Sequence, residues 1–515
     1  QRGGVTQPAG SRRFVDLGVP NRVAGNAVFF PLAATYAMLV VPASVLSMLG
    51  LIPPVAGLAS PAGHAHELLF GFALAVVAGN QLGPRTRMIL ATLVATWLMA
   101  RVAFLGWPGS AVAIAANIAF PGVLGYALAP RLLASAKKWR NQSLPLTLIG
   151  LCASAVAFAV VSAMAAPGQG APVVPDRLID VAGAGFALLL LFMGGRVIAP
   201  AVAGQFYRQG QVLDARVQPR IEGALVITMA VGVLSRGSAG VTSESGAGRG
   251  ATLTAGLALA VAGVLAALRM IRWRLWAMRG RPDLLCQAAG YAWRALGLLA
   301  LGAGLALDAP PAERTRAIHV ITIGSLGTLT LNVMAMTRLL RARRPVLSSA
   351  LPVYGTGLLA LATLLRVFAG SVADTRAMLL AAAACWSLAY LLLLVLLLTV
   401  VPTPGPGATE AHCRARRGER GRALRRPFRD RKRDRASRRE RPYGVGARRA
   451  AATVRGARAA RRSWRPRGSR VAREPRQHAR VRIRAVGRHG RARRRARGRQ
   501  LPAGPRQRAR RCGTD

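Results

Sequence analysis

The chain is poor in the residues on which most enzymes and redox proteins are built. Its five cysteines (Cys152, Cys286, Cys385, Cys413, Cys512) are isolated. There is therefore no CxxC zinc or redox pair, no CxxCH haem-attachment motif and no disulfide framework. Lysine is nearly absent, three residues (Lys137, Lys138, Lys432) against 69 arginines. Acidic residues number 18, and almost none falls inside an apolar run, so there is little to couple protons across a membrane. No cleavable signal peptide is expected, because the first strongly apolar run starts only near Ala24. The first apolar run is read as its own insertion signal.

Apolar residues make up 52% of the chain, in runs longer than a buried core helix requires. A hydrocarbon core of about 30 Å is crossed by a helix of about 20 apolar residues. About twelve such stretches are present, near 26–50, 64–83, 88–105, 111–134, 145–166, 178–204, 221–236, 251–272, 285–307, 318–339, 347–371 and 376–401. The seventh opens with Glu222 and runs into a Gly/Ser-rich loop, so it is expected to be short or tilted. The fold class is all-α, a polytopic membrane bundle. Basic loop residues, which stay on the cytoplasmic side, alternate cleanly along the chain. One set of loops holds 22 of them and the other only Arg177, Arg236, Arg249, Arg314, Arg316 and Arg376. Both ends of the bundle are therefore expected inside.

The net charge of +54 is a sum over two unlike compositions, since 40 of the 72 basic residues lie beyond Pro402. Three regions follow: an N-terminal cytoplasmic segment (1–23), a transmembrane domain (24–401) and an Arg-rich tail (402–515) without apolar periodicity, expected to be disordered. A tail of this kind would bind nucleic acid or anionic lipid by counterion release. Arginine used almost to the exclusion of lysine also points to GC-rich coding, and such DNA read out of frame yields Arg, Ala, Gly and Pro, which is the reading favoured for the tail. For the membrane domain the partner is lipid, and no nucleic-acid partner is expected.

Three histidines lie in the membrane domain, His64 and His66 where the second span begins and His319 where the tenth begins. The loop charges put all three at the outer face. Ser60 and Pro61 read as N-cap and first residue of a helix, which sets His64 and Glu67 one turn apart on one side and turns His66 away. Imidazoles at such a place either ligate a metal or bond to headgroups and neighbours. Met334 and Met336 lie about 22 Å along the helix from His319 and are read as packing residues. Arg101, Arg196 and Arg366 are charges in or beside apolar runs, where a partner or a watery cavity is expected. Arg196 is read as snorkelling to headgroups. Arg101 and Arg366, on the histidine side, are read as partners of Glu67 or of an anionic ligand.

The segment GHAHELLFGFALAVVAG (63–79) resembles the signature of the NnrS family of bacterial haem- and copper-containing membrane proteins. The resemblance continues in NAVFFPLAATYAMLVVP (26–42), WLMARVAF (97–104), LLLLFMGGRVIAP (189–200), GYAWRALGLL (290–299), IHVITIGSLGTLTLNVMAMTR (318–338) and ALATLLRVFAG (360–370). It implies a twelve-helix bundle in the bacterial inner membrane, a non-covalent haem, copper, and a part in nitric oxide metabolism or resistance to nitrosative stress, acting on nitric oxide or its metal adducts. It names no chemical step. On this reading His64, His66 and His319, with Glu67, supply metal ligands, and Arg101 and Arg366 neutralise haem propionates. Three imidazoles cannot fully ligate both metals. The chain departs from the family's pattern after Gly79, where NQLGPRTRM follows at once and shortens the second helix. The alternatives are a twelve-helix secondary transporter, although no half-to-half repeat is evident, and a membrane assembly factor without catalytic activity.

Overall fold

The computed structural model describes residues 22–135, 139–164, 173–238, 246–371 and 374–401. All belong to one compact unit, Gln1–Arg431. The expectations for the tail beyond Pro402, and for residues 1–21, lie outside the described residues.

Twelve helices are long and apolar enough to span a membrane. They are α1 (Gly25–Met48), α2 (Pro61–Gln81), α3 (Arg87–Gly106), α4 (Ala111–Ala134), α5 (Gln142–Met164), α6 (Leu178–Arg208), α7 (Asp214–Ser238), α8 (Ala247–Ile271), α9 (Pro282–Ala306), α10 (Pro311–Arg341), α11 (Leu351–Ser371) and α12 (Thr375–Thr399). The chain is thus a multi-pass membrane protein, since only structures that satisfy their backbone internally can cross lipid. Local chemistry sets the ends. The Ser60 hydroxyl accepts from Gly63 N at 3.1 Å, with Pro61 in the first helical position, as the sequence predicts. Asp374 caps α12 through Ala377 N at 2.8 Å.

Two expectations are corrected here. The seventh span is neither short nor weak, because a 3-10 turn (Asp214–Arg216) leads into it and Glu222 is neutralised by Arg269 of α8 at 2.6 Å. After Gln81, Gly83 takes φ +62° and lets the chain turn into a strand, β2 (Pro84–Thr86), which pairs antiparallel with β1 (Arg22–Ala24). Residues expected as a cytoplasmic tail and a loop thus clamp the start of α1 to the end of α2.

The helices fall into three consecutive groups of four. The last helix of each group packs on the first of the next, α4 on α5, α8 on α9 and α12 on α1, so the series of contacts closes on itself. Trp386 Nε1 of α12 donates to Ala37 O of α1 at 2.9 Å across that closure. The second helix of each group, α2, α6 and α10, lies inward. In the most apolar stretches of α2 and α10 78% and 72% of residues are buried, more than in any other span, and α6 contacts both. The groups echo one another in sequence. Gly71, Gly185 and Gly324 each follow a polar residue by five positions (His66, Asp180, His319), and Gly-Phe-Ala-Leu stands at both 71–74 and 185–188. The outer helices show an apolar stripe to lipid, as Leu257, Val261, Val264 and Leu268 do along α8.

Each inward helix also contains a π-helical segment, Glu67–Ala73, Gly194–Ile198 and Val320–Gly327. Such wide turns are rare and concentrate at functional sites. Those of α2 and α10 begin immediately after His66 and His319.

Candidate functional site

The three histidines divide between two clusters. His66 and Glu67 belong to the first, which is assembled from α1 to α4. Glu67 Oε1 accepts from Arg101 Nη1 at 2.5 Å and from His66 Nδ1 at 2.9 Å, and Oε2 accepts from the Tyr36 hydroxyl. Arg101 Nη2 donates to Asn117 Oδ1, and Asn117 Nδ2 donates to Ala113 O at 2.9 Å. Glu67 is wholly buried, and His66 and Arg101 nearly so. Gly71 makes the approach possible, since a Cβ there would meet Arg101 Nη1 at 2.8 Å and Tyr36 Cε1 at 3.0 Å. The Gly71 carbonyl accepts from Trp97 Nε1 at 2.9 Å. The His66 ring is packed between Phe104 and Phe158, with centroids 4.1 and 4.6 Å away. With Asn117 it lines a cavity of about 260 Å³.

The sequence reading set Glu67 on the side of His64 and His66 at the membrane surface. The first point is corrected: Glu67 opens the π segment and turns to its neighbour His66. The aromatic side chains of α3 and α5 close over the His66 ring, although it stands only five residues into the helix.

His64, His319 and Arg366 form the second cluster, where α2 and α10 begin. Arg366 lies near both imidazoles, and His64 lies near His319. His64 Nδ1 is 2.9 Å from Ser44 Oγ of α1. His319 Nδ1 lies 2.7 Å from Thr315 O. A carbonyl only accepts, so Nδ1 carries the proton and Nε2 keeps its lone pair. A second guanidinium, Arg316, adds its charge at Arg366 and packs against Gly370.

The threefold repetition shows what is unusual here. In the first group the inward helix presents Glu67 to Arg101 of α3. In the second it presents Asp180 to Arg236 of α7 at 2.7 Å. In the third the position of Asp180 is held by His319, as it is by His66 in the first, and among the described residues neither Arg366 nor Arg316 has a carboxylate partner.

Of the three histidines expected to supply metal ligands, His66 pairs with Glu67, while His64 and His319 stand near Arg366. Among the described residues no three of His, Cys, Asp and Glu converge on a common point. Arg101 is engaged by Glu67 and Asn117, while Arg366 is not so engaged. Arg196 is exposed beside the Phe192 ring, 5.7 Å from its centroid, and Met334 is fully buried, as its reading as a packing residue expects. Tyr36, Ser44, Asn117 and Arg316 escaped the sequence reading. Only Arg316 carried a usable signal, standing three residues before His319.

The sequence matches the family described as NnrS protein over residues 24–404. No curated protein matches the chain.

Proposed function

This chain belongs to the NnrS family, and we propose that it is a nitric-oxide-related membrane protein that holds a haem non-covalently between α2 and α10, through His64 and His319. The observation that carries the reading is the pair of guanidiniums without carboxylates beside two imidazoles. Haem presents two carboxylates and an iron that accepts axial imidazoles, and Arg pairs with carboxylates bidentately. The donors present fit that group. Thr315 O fixes the His319 ring with Nε2 available, and Ser44 Oγ holds the His64 ring by the same nitrogen, the outer hydrogen bond that orients a ligating histidine. Arg366 and Arg316 are the residues that would neutralise propionates. Bound haem would supply an iron with affinity for nitric oxide.

The donors do not fit copper equally well. Among the described residues His66 is the one imidazole left, its Nδ1 is taken by Glu67, and its ring is walled by phenylalanines.

The test is the Soret band of the full-length protein purified with its membrane. It should be present in the wild type, lost in His64→Ala and in His319→Ala, and retained in His66→Ala. A wild type without the band after haem supply, or retention in both of the first two variants, would overturn the haem assignment. A deletion strain without a redundant relative should grow more slowly than its parent under nitric oxide. Equal growth would remove the nitric oxide part.

A further inference from the structure

A third polar locus lies away from both clusters. Arg294 stands midway along α9 (Pro282–Ala306), which puts it near the bilayer centre, where an arginine is costly unless paired. It is wholly buried, and none of its three guanidinium nitrogens has a hydrogen-bond partner. Its face stacks on the Tyr291 ring, 4.2 Å from the centroid. Stacking occupies the face of a guanidinium and leaves its N–H edges, which are the strong donors, unsatisfied. A second cation, Arg269, stands in its neighbourhood and is itself paired with Glu222.

The α9 glycines on either side of Arg294 pack on α10. A Cβ on Gly290 would meet Thr328 Cγ2 at 3.1 Å, and one on Gly297 would meet Ile321 Cγ1 at 2.5 Å. Between Ile321 and Thr328 stands Ser325. The hydroxyls of Ser325 and Thr328 are both fully buried and both without a partner. That is unusual for this protein, since Thr322, Thr330 and Thr363 each bond the carbonyl four residues back. The Arg294 guanidinium and two hydroxyls of the facing helix therefore lack hydrogen-bond partners. Gln287, two turns before Arg294 on the same face of α9, lines a separate cavity of about 140 Å³ with Asn332, Met336 and Asp283, the last paired with Arg281. The Gln287 Oε1 is likewise unpartnered. Around that cavity the adjoining loops carry Arg279, Arg281, Arg341, Arg343 and Arg344, a field that concentrates anions.

We infer that the α9–α10 interface is a binding site for a small monovalent oxyanion, received by the edge of the Arg294 guanidinium and by the Ser325 and Thr328 hydroxyls. One negative charge matches the single guanidinium of Arg294, and an oxyanion accepts hydrogen bonds from all three groups. The ligand is small because the helices on either side of Arg294 touch at Gly290 and Gly297. This site does not depend on the haem reading.

Nitrate serves as the probe, with gluconate as a bulky control at constant ionic strength, on the full-length protein in detergent. Nitrate should raise the Tm by a few degrees in a saturable manner and give a one-site calorimetric isotherm, and gluconate should do neither. Arg294→Gln should abolish both responses. Its Tm without nitrate should equal or exceed that of the wild type, because an unpaired buried charge has been removed. Arg294→Lys keeps the charge but loses the planar fork, and should bind about tenfold more weakly. That variant also carries the test if Arg294→Gln does not fold. A wild type indifferent to nitrate, as expected if internal water satisfies the three groups, would overturn the site. So would nitrate binding by Arg294→Gln equal to wild type. A His319→Ala protein that loses its Soret band but keeps the nitrate response separates this site from the haem.

Discussion

Glu67 shows how much can depend on one partner. It is buried in the bundle and bonded to Arg101, His66 and Tyr36. Removing one member of a buried ion pair leaves the other uncompensated and costs about 3–5 kcal/mol, more than the pair itself contributes. Arg101→Met should therefore lower the Tm in detergent sharply, and the double variant Glu67→Gln/Arg101→Met should recover most of the loss. If the double variant were no better than the single, the cost would come from packing rather than charge. The sequence made Arg101 and Glu67 candidates for each other. It did not tell that His66 would join them, because which way a carboxylate turns depends on what surrounds it. The π segment that starts at Glu67 has no signature in a single sequence beyond its glycine.

At the scale of helices, the closest approach is between α8 and α9. A Cβ on Gly256 would lie 2.6 Å from Ala306 N and 2.8 Å from Gly302 O, so backbone meets backbone. In lipid such packing, with no hydrophobic drive between helices, is what holds two of them together. Gly302→Leu should separate the pair and reduce the yield of monodisperse protein in size-exclusion chromatography, while Gly304→Leu should be tolerated, since a Cβ there meets nothing closer than Arg314 Cγ at 3.5 Å. Equal behaviour of the two variants would mean that this contact does not limit folding. The spans themselves were legible, since length and hydropathy suffice for them. Their ends were less so. The tenth span is expected from 318 but begins at Pro311, because Glu313, Arg314 and Arg316 interrupt the apolar run without interrupting the helix.

At the scale of the whole molecule, the even number of spans and the alternation of basic loops make one joint prediction. A reporter fused after Val401 should sit in the cytoplasm. A periplasmic signal there would mean a span miscounted. The threefold grouping of helices also explains why no half-to-half repeat is found, since the repeating unit is four helices and not six. Glu67 of α2 and Asp180 of α6 each pair with an arginine of the next helix, whereas among the described residues Arg366 of α11 pairs with no carboxylate.

By itself the sequence determined that the chain crosses a membrane, about how many times, which residues are too polar to lie in lipid without cause, and the NnrS resemblance. These properties are set by local composition, because twenty apolar residues in a row have no other stable place. Only the tertiary structure decided the grouping of the polar residues: His66 with Glu67, Arg101 and Asn117, and His64 with His319 and Arg366. It also left Arg294 alone, an arginine the sequence reading passed over although it stands in the middle of a span. Such groupings depend on which helix faces meet. That is fixed by close packing of small residues and by the three wide turns, and neither can be read from hydropathy.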